Sequence, residues 1–427
     1  MKVAILTMFN GLSSTYSLVN VVKEQITMLL NNNIEVKLLV SESCLESERY
    51  GIFKDPRLEY IKIINSYNGI NFKWYTYTSS EDIIHDSFYF ESKLIANDYI
   101  KYLSDVDVCI MHDILYQGIH LVHNIAIRDA SAVLKNIRFI EFTHSAPASH
   151  IDAKYPISAM YSDMDNTIFV YPTKCGLEAL SKQYNISIDK CYCINNSIDI
   201  LSNMNECTKH ICNTLNIYNK DILIVYPARL NIAKGFHEII ELASYIQSYN
   251  YTIGIIFCDF PSSDIDPNMY KFMCYEIAHK FNINKDNIIF TTNIGYPNGI
   301  SRDSVYELYT ISNLYICPSY SESFGLGVIE AASRGNYIVL NEAVPALKEL
   351  GDQLNAYYMR WNAKNYNYDT VETYLPSKEL YYKDNIRVIL NNMFNNSVIY
   401  SKTIVRTKYN NEYIFKSLLK LLLMNDY

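Results

Sequence analysis

The 427-residue chain lacks the features that mark nucleic-acid-binding and membrane-spanning proteins. Its 37 lysines and arginines stand against 45 aspartates and glutamates, and no run of basic residues occurs, whereas a nucleic-acid binder needs a basic patch that displaces counterions from phosphates. No stretch of 18 apolar residues is present, and the start MKVAILTMFNG has neither the apolar core nor the cleavage site of a signal peptide. We therefore expect a cytoplasmic protein that binds no nucleic acid and makes at most peripheral contact with a membrane.

Several catalytic and metal-binding signatures are also missing. The ten cysteines form no C-x-x-C pair, which favours buried, reduced thiols over disulfides or a zinc site. The sequence contains no Walker loop, no G-x-S-x-G and no G-x-G-x-x-G, so hydrolase and dehydrogenase functions lose support. No internal repeat of 20 to 50 residues occurs.

What is present is an alternation of apolar strands and amphipathic helices over a length that suits two domains. This pattern predicts an α/β fold of two doubly wound, Rossmann-like domains that face each other across a cleft. We expect the first domain at 1–203 and the second at 204–404, with a C-terminal helix at about 405–427 that packs back onto the first domain. Apolar residues on one face of that helix favour packing over the alternative of a membrane-surface helix, because the helix has few basic residues. The strands expected from these runs are Lys2–Phe9, Ile34–Val40, Val106–Met111, Arg138–Phe142, Thr167–Tyr171, Ile222–Pro227, Tyr251–Phe257, Asn287–Thr291, Leu314–Cys317 and Tyr337–Leu340.

The most informative segment is PSYSESFGLGVIEAASRG at 318–335, which predicts a loop and a helix after a short buried strand. Gly325 and Gly327 at the helix start would let backbone N–H groups approach an anion such as a diphosphate. Gly335 is placed to end the helix in the left-handed conformation.

Two glutamates, Glu322 and Glu330, lie eight positions apart in this segment. In a continuous helix that separation is roughly 12 Å along the axis. Paired glycosidase carboxylates lie about 5 to 9.5 Å apart, so these two suit opposite ends of an extended ligand better than one shared proton. The alternative is that Glu330 pairs with Arg334 one turn on and that Glu322 is a solvated loop residue.

A second cluster follows the strand expected at Ile222–Pro227, in the sequence ARLNIAKG. It places Arg229 past the carboxyl end of the strand and Lys234 at the start of the next helix, at the sheet edge where open parallel sheets bind ligands. Two cations there can neutralise a diphosphate without a metal. Ordinary solvated basic residues are the alternative.

Taken together, Arg229, Lys234, Glu322 and Glu330 make residues 222–350 resemble the retaining glycosyltransferases of family 4, which have the two-domain GT-B fold. The resemblance implies that Arg229 and Lys234 bind the donor diphosphate, that Glu322 lies at the transferred sugar and that Glu330 holds the ribose hydroxyls. It further implies contacts of Phe324, Gly325 and Leu326 with the sugar and the diphosphate.

The resemblance continues more thinly over the first domain. DVCIMHD offers His112 beside the donor sugar, FTH offers His144, and the usual paired glycines after the first strand are reduced to Gly11. CINNSID retains Asn196 and Asp199 of a family turn but has Asn and Ser where Pro and Gly are usual. A hydrogen-bonded structural histidine is the alternative for His112.

The function implied is transfer of a sugar from a UDP- or GDP-sugar to an acceptor hydroxyl with retention of configuration, without a metal or another cofactor. Glu322, His112, Arg229 and Lys234 are the expected catalytic residues, and the acceptor is a glycan, a lipid-linked glycan or a small molecule. The alternative is a catalytically inactive module of the same fold that binds a sugar or nucleotide.

Two other pairs are expected to be structural rather than metal ligands. Asp163 and Asp165 form a D-x-D, but they precede a strand, whereas the metal-binding D-x-D of the GT-A fold ends one. His120 and His123 have no third ligand near them in the sequence.

Overall fold

The computed structural model describes residues 1–67, 70–71, 77, 81–147, 152–262, 265–361 and 377–424. Within it the chain forms two compact units. The first unit comprises Met1–Asp199 together with Asn411–Tyr427, and the second comprises Ile200–Asn410. The chain therefore enters the second unit once and returns to the first unit for its last helix.

Strands alternate with helices along both units, as the apolar runs predict. The strands are β1 Lys2–Leu6, β2 Glu35–Ser41, β3 Leu58–Ile63, β4 Ser66–Tyr67, β5 Ile70–Asn71, β6 Val108–His112, β7 Arg138–Phe142, β8 Thr167–Tyr171, β9 Cys191–Cys193, β10 Ile222–Arg229, β11 Ile253–Phe260, β12 Ile288–Phe290, β13 Leu314–Cys317, β14 Tyr337–Asn341 and β15 Tyr357–Met359.

The α-helices are α1 Ser17–Asn31, α2 Phe88–Leu103, α3 Leu121–Val133, α4 Leu177–Tyr184, α5 Glu206–Leu215, α6 Phe236–Gln247, α7 Pro267–Lys280, α8 Arg302–Ile311, α9 Leu326–Ser333, α10 Pro345–Leu354, α11 Lys378–Asn395, α12 Ser397–Lys408 and α13 Asn411–Leu422. Over the described residues, none of these helices combines the length and the apolar character needed to cross a membrane.

Seven strands of the first unit form a parallel sheet in the order β3-β2-β1-β6-β7-β8-β9. Alternate residues of β1 enter separate cores, since Ala4 and Leu6 pack on one face and Val3 and Ile5 on the other. Burial on both faces explains why these strands are continuous apolar runs. The chain order reverses between β1 and β6, which is the switch point where doubly wound sheets open a ligand crevice.

The sheet of the second unit has six parallel strands in the order β12-β11-β10-β13-β14-β15. Its switch point lies between β10 and β13, which are hydrogen-bonded neighbours. The loops that leave these two strands at their carboxyl ends begin after Arg229 and Cys317. Both sheets confirm the prediction of two doubly wound α/β units.

Helix α13 packs into the core of the first unit, on the sheet face that also carries α1. Its buried residues are Ile414, Phe415, Leu418, Leu421 and Leu422. Each fully buried Leu or Ile contributes about 1.5–3 kcal/mol. The Nη1 atom of Arg138 donates to the carbonyls of Leu421 and Leu422, where a cation stabilises the C-terminus of a helix.

Candidate functional site

The loop after β10 is shaped so that it can lie directly against the loop after β13. Asn231 accepts a hydrogen bond from the N–H of Ala233 at 2.8 Å and so starts a short 3₁₀ turn that ends at Lys234. Gly235 follows with φ +70°, and a Cβ there would come within 2.9 Å of Cγ of Pro318. Only glycine allows both this backbone conformation and this close approach.

A backbone hydrogen bond joins the two loops, since the N–H of Tyr320 donates to the carbonyl of Ala233 at 2.8 Å. A second bond holds the first loop to its own strand, since the hydroxyl of Tyr226 in β10 donates to the carbonyl of Lys234 at 2.8 Å. The result is an ion pair between Nζ of Lys234 and Oε1 of Glu322 at 2.5 Å, although the two residues lie 88 positions apart. The two side chains are 23% and 21% exposed, so the pair is accessible to a ligand.

Arg229 is the last residue of β10, at the sheet edge from which the loop with Lys234 leaves. Its side chain is exposed. The structure therefore brings Lys234 and Glu322 into contact and places Arg229 at the carboxyl edge of the same sheet.

Helix α9 begins directly after the Glu322 loop. Gly325 has φ +97° and precedes the first helical residue, Leu326. Phe324 and Leu326 are 51% and 59% exposed at this start. The first N–H groups of a helix have no helical carbonyl partners, and together with the helix dipole they attract an anion.

Of the two remaining glycines of the segment, Gly327 allows close packing and Gly335 ends the helix. A Cβ on Gly327 would lie 2.8 Å from the hydroxyl of Tyr315, so this glycine lets α9 pack against β13. Gly335 has φ +70°, its N–H donates to the carbonyl of Ala332 and the next N–H donates to that of Ala331. These bonds form a Schellman motif, and the positive φ of Gly335 agrees with the left-handed helix end predicted from the sequence.

Glu330 makes an ion pair that the sequence did not indicate. Its Oε1 accepts from Nη2 of Arg302 at 2.7 Å and from the hydroxyl of Tyr306 at 3.2 Å. The alternative pairing with Arg334 is wrong, since that guanidinium lies over the Tyr306 ring, 5.3 Å from its centroid. Arg302 is 67% exposed, so a ligand can displace it from Glu330 at little cost.

A buried network of hydrogen bonds and ion pairs supports the Glu322 loop. The hydroxyl of Tyr320 donates to Oε1 of Glu238 at 3.2 Å, and Oε2 of Glu238 accepts from Nζ of Lys378 at 2.8 Å and from the hydroxyl of Tyr382 at 2.7 Å. Burial acts to raise the pKa of Glu238, but Lys378 and His237 outweigh it and the pKa is lowered. Glu238 is therefore an ionised anchor, and sequence reasoning missed it because its partners are distant in the chain.

His112 ends β6 at the switch point of the first unit, but it is buried, with 2% of its surface exposed. Its Nε2 lies 3.0 Å from Oε1 of Gln25, and its Nδ1 lies 2.8 Å from Nε2 of His144. Because Gln25 presents an oxygen, His112 donates from Nε2 and accepts from His144 at Nδ1. Both ring nitrogens of His112 are thus engaged, as expected for a hydrogen-bonded structural histidine. His144 is the less buried of the two histidines.

The environment of these histidines favours the neutral ring. Burial, together with the neighbouring His144, lowers the pKa of His112 well below its usual value. Burial lowers the pKa of His144 to about 4. The residue after His112, Asp113, has φ +56° and accepts the N–H of His144 at 2.8 Å, a strained backbone of the kind found at functional sites.

Gly11 lies in the loop after β1. A Cβ there would lie 2.6 Å from Oε2 of Glu48, which accepts the N–H of Leu12 at 3.1 Å. The space that this glycine leaves is therefore occupied by a carboxylate of the protein.

One residue of each pair set aside as metal ligands has protein partners. Asp163 pairs with Nζ of Lys190 at 2.5 Å, and His123 lies between the hydroxyl of Tyr99 and Oδ1 of Asn65 at 2.8 and 2.7 Å. Within the described ranges, no group of three or more histidine, cysteine or acidic side chains could hold a metal ion. Asn196 lies exposed in the segment after β9, and all ten cysteines are free thiols.

Comparison with known proteins gives a match to one family. Residues 209–366 match the family described as Glycosyl transferases group 1, and no curated protein matches the chain.

The chain is also similar to solved structures over nearly its whole length. They include a glycosyltransferase from Rickettsia africae (14% identity, 100% of this chain and 99% of that one, TM-score 0.36), HepE from Anabaena in complex with UDP-glucose (13%, 99% and 99%, 0.36) and sucrose-phosphate synthase from Thermosynechococcus elongatus (12%, 98% and 98%, 0.36). The family match lies within the second unit and contains the Lys234–Glu322 pair, Arg229 and Glu330.

Proposed function

We propose that the protein is a metal-independent glycosyltransferase that moves a sugar from a nucleoside diphosphate donor, a UDP- or GDP-sugar, to an acceptor hydroxyl with retention of configuration. The observation that carries the proposal is the Lys234–Glu322 pair at the switch point of the second unit, directly before the N-terminus of α9. A cation, a carboxylate and the first amides of a helix at one sheet edge suit a ligand that has both a sugar and a diphosphate.

The diphosphate is the part of the donor that the protein must stabilise most during transfer. When the bond between the anomeric carbon and the diphosphate oxygen breaks, the departing diphosphate keeps the electron pair and gains negative charge. Arg229, Lys234 and the amides at the start of α9 would stabilise that charge, a role in which preorganised donors are most effective. Lys234 would then exchange or share its bond to Glu322 with a phosphate oxygen.

The remaining roles follow the geometry of the donor. Glu322 would contact the sugar hydroxyls, Phe324, Gly325 and Leu326 would contact the sugar and the diphosphate, and Glu330 would take the ribose hydroxyls in exchange for Arg302. The second unit would thus bind the donor.

The first unit would take the acceptor, a glycan, a lipid-linked glycan or a small molecule, near Gly11. His144 would be the ring that faces substrate, while His112 would act through it as a positioning residue. The cytoplasmic location remains a prediction.

The test is a screen of UDP- and GDP-sugars for binding, for slow hydrolysis and for transfer. Arg229→Ala and Lys234→Ala should each lower donor turnover by about 100-fold or more, the usual cost of removing a transition-state donor. Lys383→Ala is the matched control, because Lys383 also pairs with a glutamate at 2.5 Å but lies on α11.

Two results would count against the proposal. Near-wild-type turnover by Lys234→Ala would remove its central residue. Tight binding of one donor with neither hydrolysis nor transfer to any acceptor would favour a binding module without catalysis.

A further inference from the structure

A groove of about 580 Å³ lies between α12, the end of α8 and the segment that opens the second unit. One wall is apolar and is formed by Ile200, Met204, Ile311, Val398 and Val405. Val398 is 58% exposed. The volume lies within the range of small-molecule sites.

Two cations one helical turn apart, Lys402 and Arg406, also line the groove, and no acidic residue does. Arg406 is only 2% exposed, and its Nη atoms donate to the carbonyls of Ile217, Lys220 and Asp221. Its Nε has no hydrogen-bond partner among the described residues. The carbonyls accept hydrogen bonds but do not cancel the charge.

The second cation, Lys402, likewise has a neutral hydrogen-bond partner. Nζ of Lys402 donates to the carbonyl of Arg334 at 2.9 Å, again to a neutral group. The carboxylate that acts electrostatically on Arg406 is that of Asp221, which already accepts two hydrogen bonds from Thr252. The groove therefore keeps an excess of positive charge beside an apolar wall.

Two cations on one helix face, with no acidic residue among those that line the groove, are an unfavourable arrangement. Like charges at positions i and i+4 of a helix repel, and burying a cation without a counter-ion is costly. Burial and the neighbouring Arg406 lower the pKa of Lys402 to about 8. A bound anion would relieve both costs.

We propose that this groove binds an amphiphilic anion, with a single apolar chain along the Val398 wall and a carboxylate or phosphate head on Lys402. The site lies outside the strand-end cluster that would bind the donor, so it does not depend on the proposed transfer reaction. The apolar wall accounts for the chain, and the uncompensated cations account for the head.

Calorimetric titration of the full chain with decanoate, decyl phosphate, decyl maltoside and inorganic phosphate tests the proposal. Both decyl anions should bind, decyl maltoside should bind at least about tenfold more weakly, and inorganic phosphate should not bind measurably, since a charge-assisted hydrogen bond and chain burial both contribute. Equal binding of decyl maltoside, equal binding of inorganic phosphate or no binding of the decyl anions would each overturn the proposal.

Matched variants locate the site. Lys402→Gln should weaken decanoate binding by about tenfold or more, whereas Lys383→Gln on α11 should not change it. Val398→Asp should abolish binding, and Val388→Asp, at another exposed valine of the same unit, should not. Thermal melting checks that each variant folds, and equal effects of the paired variants would contradict the site.

Two further measurements separate this site from the donor site and from simple apolar binding. Arg229→Ala and Lys234→Ala should leave decanoate affinity unchanged. Between pH 7 and 9 the affinity should fall as Lys402 loses its proton, and the fall should be absent in Lys402→Gln. A pH-independent affinity in the wild type would contradict the role of Lys402.

Discussion

The two sheets reach their switch points with different chemistry, although both are parallel and doubly wound. At the β10–β13 switch of the second unit, Lys234 and Glu322 carry opposite charges and remain about a fifth exposed. At the β1–β6 switch of the first unit, His112 is buried and neutral, and both its nitrogens bind protein partners. A residue at the end of a strand is therefore available to a ligand only where the fold leaves it partly exposed to solvent.

The largest expected effect lies at the charged switch point. Lys234→Ala and Glu322→Ala should each reduce kcat/KM for transfer by about 100-fold or more, because Lys234 would contact the departing diphosphate and Glu322 the sugar that is transferred. The double variant should lose much less than the product of the two, since the side chains bind each other and act as one unit. Steady-state kinetics on the four proteins measures this, and multiplicative losses would mean that the pair does not act together.

Substitution of His112 at the buried switch point should mainly lower the stability of the first unit. His112→Ala leaves Gln25 and His144 without their partner in a buried site, which costs about 1–3 kcal/mol for each unpaired group. Hydrogen exchange of peptides that span β6 should accelerate, while peptides that span β10 should stay as protected as in the wild type. Unchanged exchange in β6 would show that His112 contributes little to the first unit.

Lowering the pH should affect the stability of the two regions differently. The pKa of His144 is lowered to about 4 in the folded protein, against about 6.5 in an unfolded chain, so the unfolded state binds more protons in between. Stability conferred by the neutral ring is therefore complete above about pH 6.5 and falls as the pH drops towards 4, by up to about 1.4 kcal/mol per pH unit. Protection of β6 peptides at pH 5 and 7 measures the slope, which His144→Gln should flatten.

The smallest expected effect tests the support beneath the charged pair. Tyr320→Phe removes the hydroxyl that donates to Glu238 and should lower kcat by roughly two- to tenfold, since one hydrogen bond contributes about 1 kcal/mol. Tyr357→Phe is the control, because it removes a similar bond to Asn385 elsewhere in the second unit. If both variants lower kcat alike, the network does not position Glu322.

The fold was predictable where strands are buried on both faces. Arg138–Phe142, Thr167–Tyr171 and Leu314–Cys317 have the expected bounds, since continuous apolar runs specify them. Five strands were missed. Two of them, β4 and β5, are only two residues long and pair with each other. The other three, β3, β9 and β15, lie at the edges of the large sheets, where one-sided pairing leaves polar or half-exposed residues in the pattern.

The site was predictable only as far as its residues form a local motif. Glu322 and Lys234 were found because strand ends and helix starts mark the sequence around them. Arg302 and Glu238 were missed, since their contacts to Glu330 and Tyr320 join residues 28 and 82 positions apart. Engagement of both His112 nitrogens was likewise invisible, because Gln25 lies 87 positions away.

The return of the chain to the first unit at α13 has a consequence for the order of synthesis. The second unit is one continuous segment, so its sheet can be completed while the ribosome is still adding later residues. The first unit cannot cover its sheet face until the final helix emerges, although its strands are made first. The half of the protein translated earliest is thus the last to be finished, and its exposed apolar face is the part most in need of protection during translation.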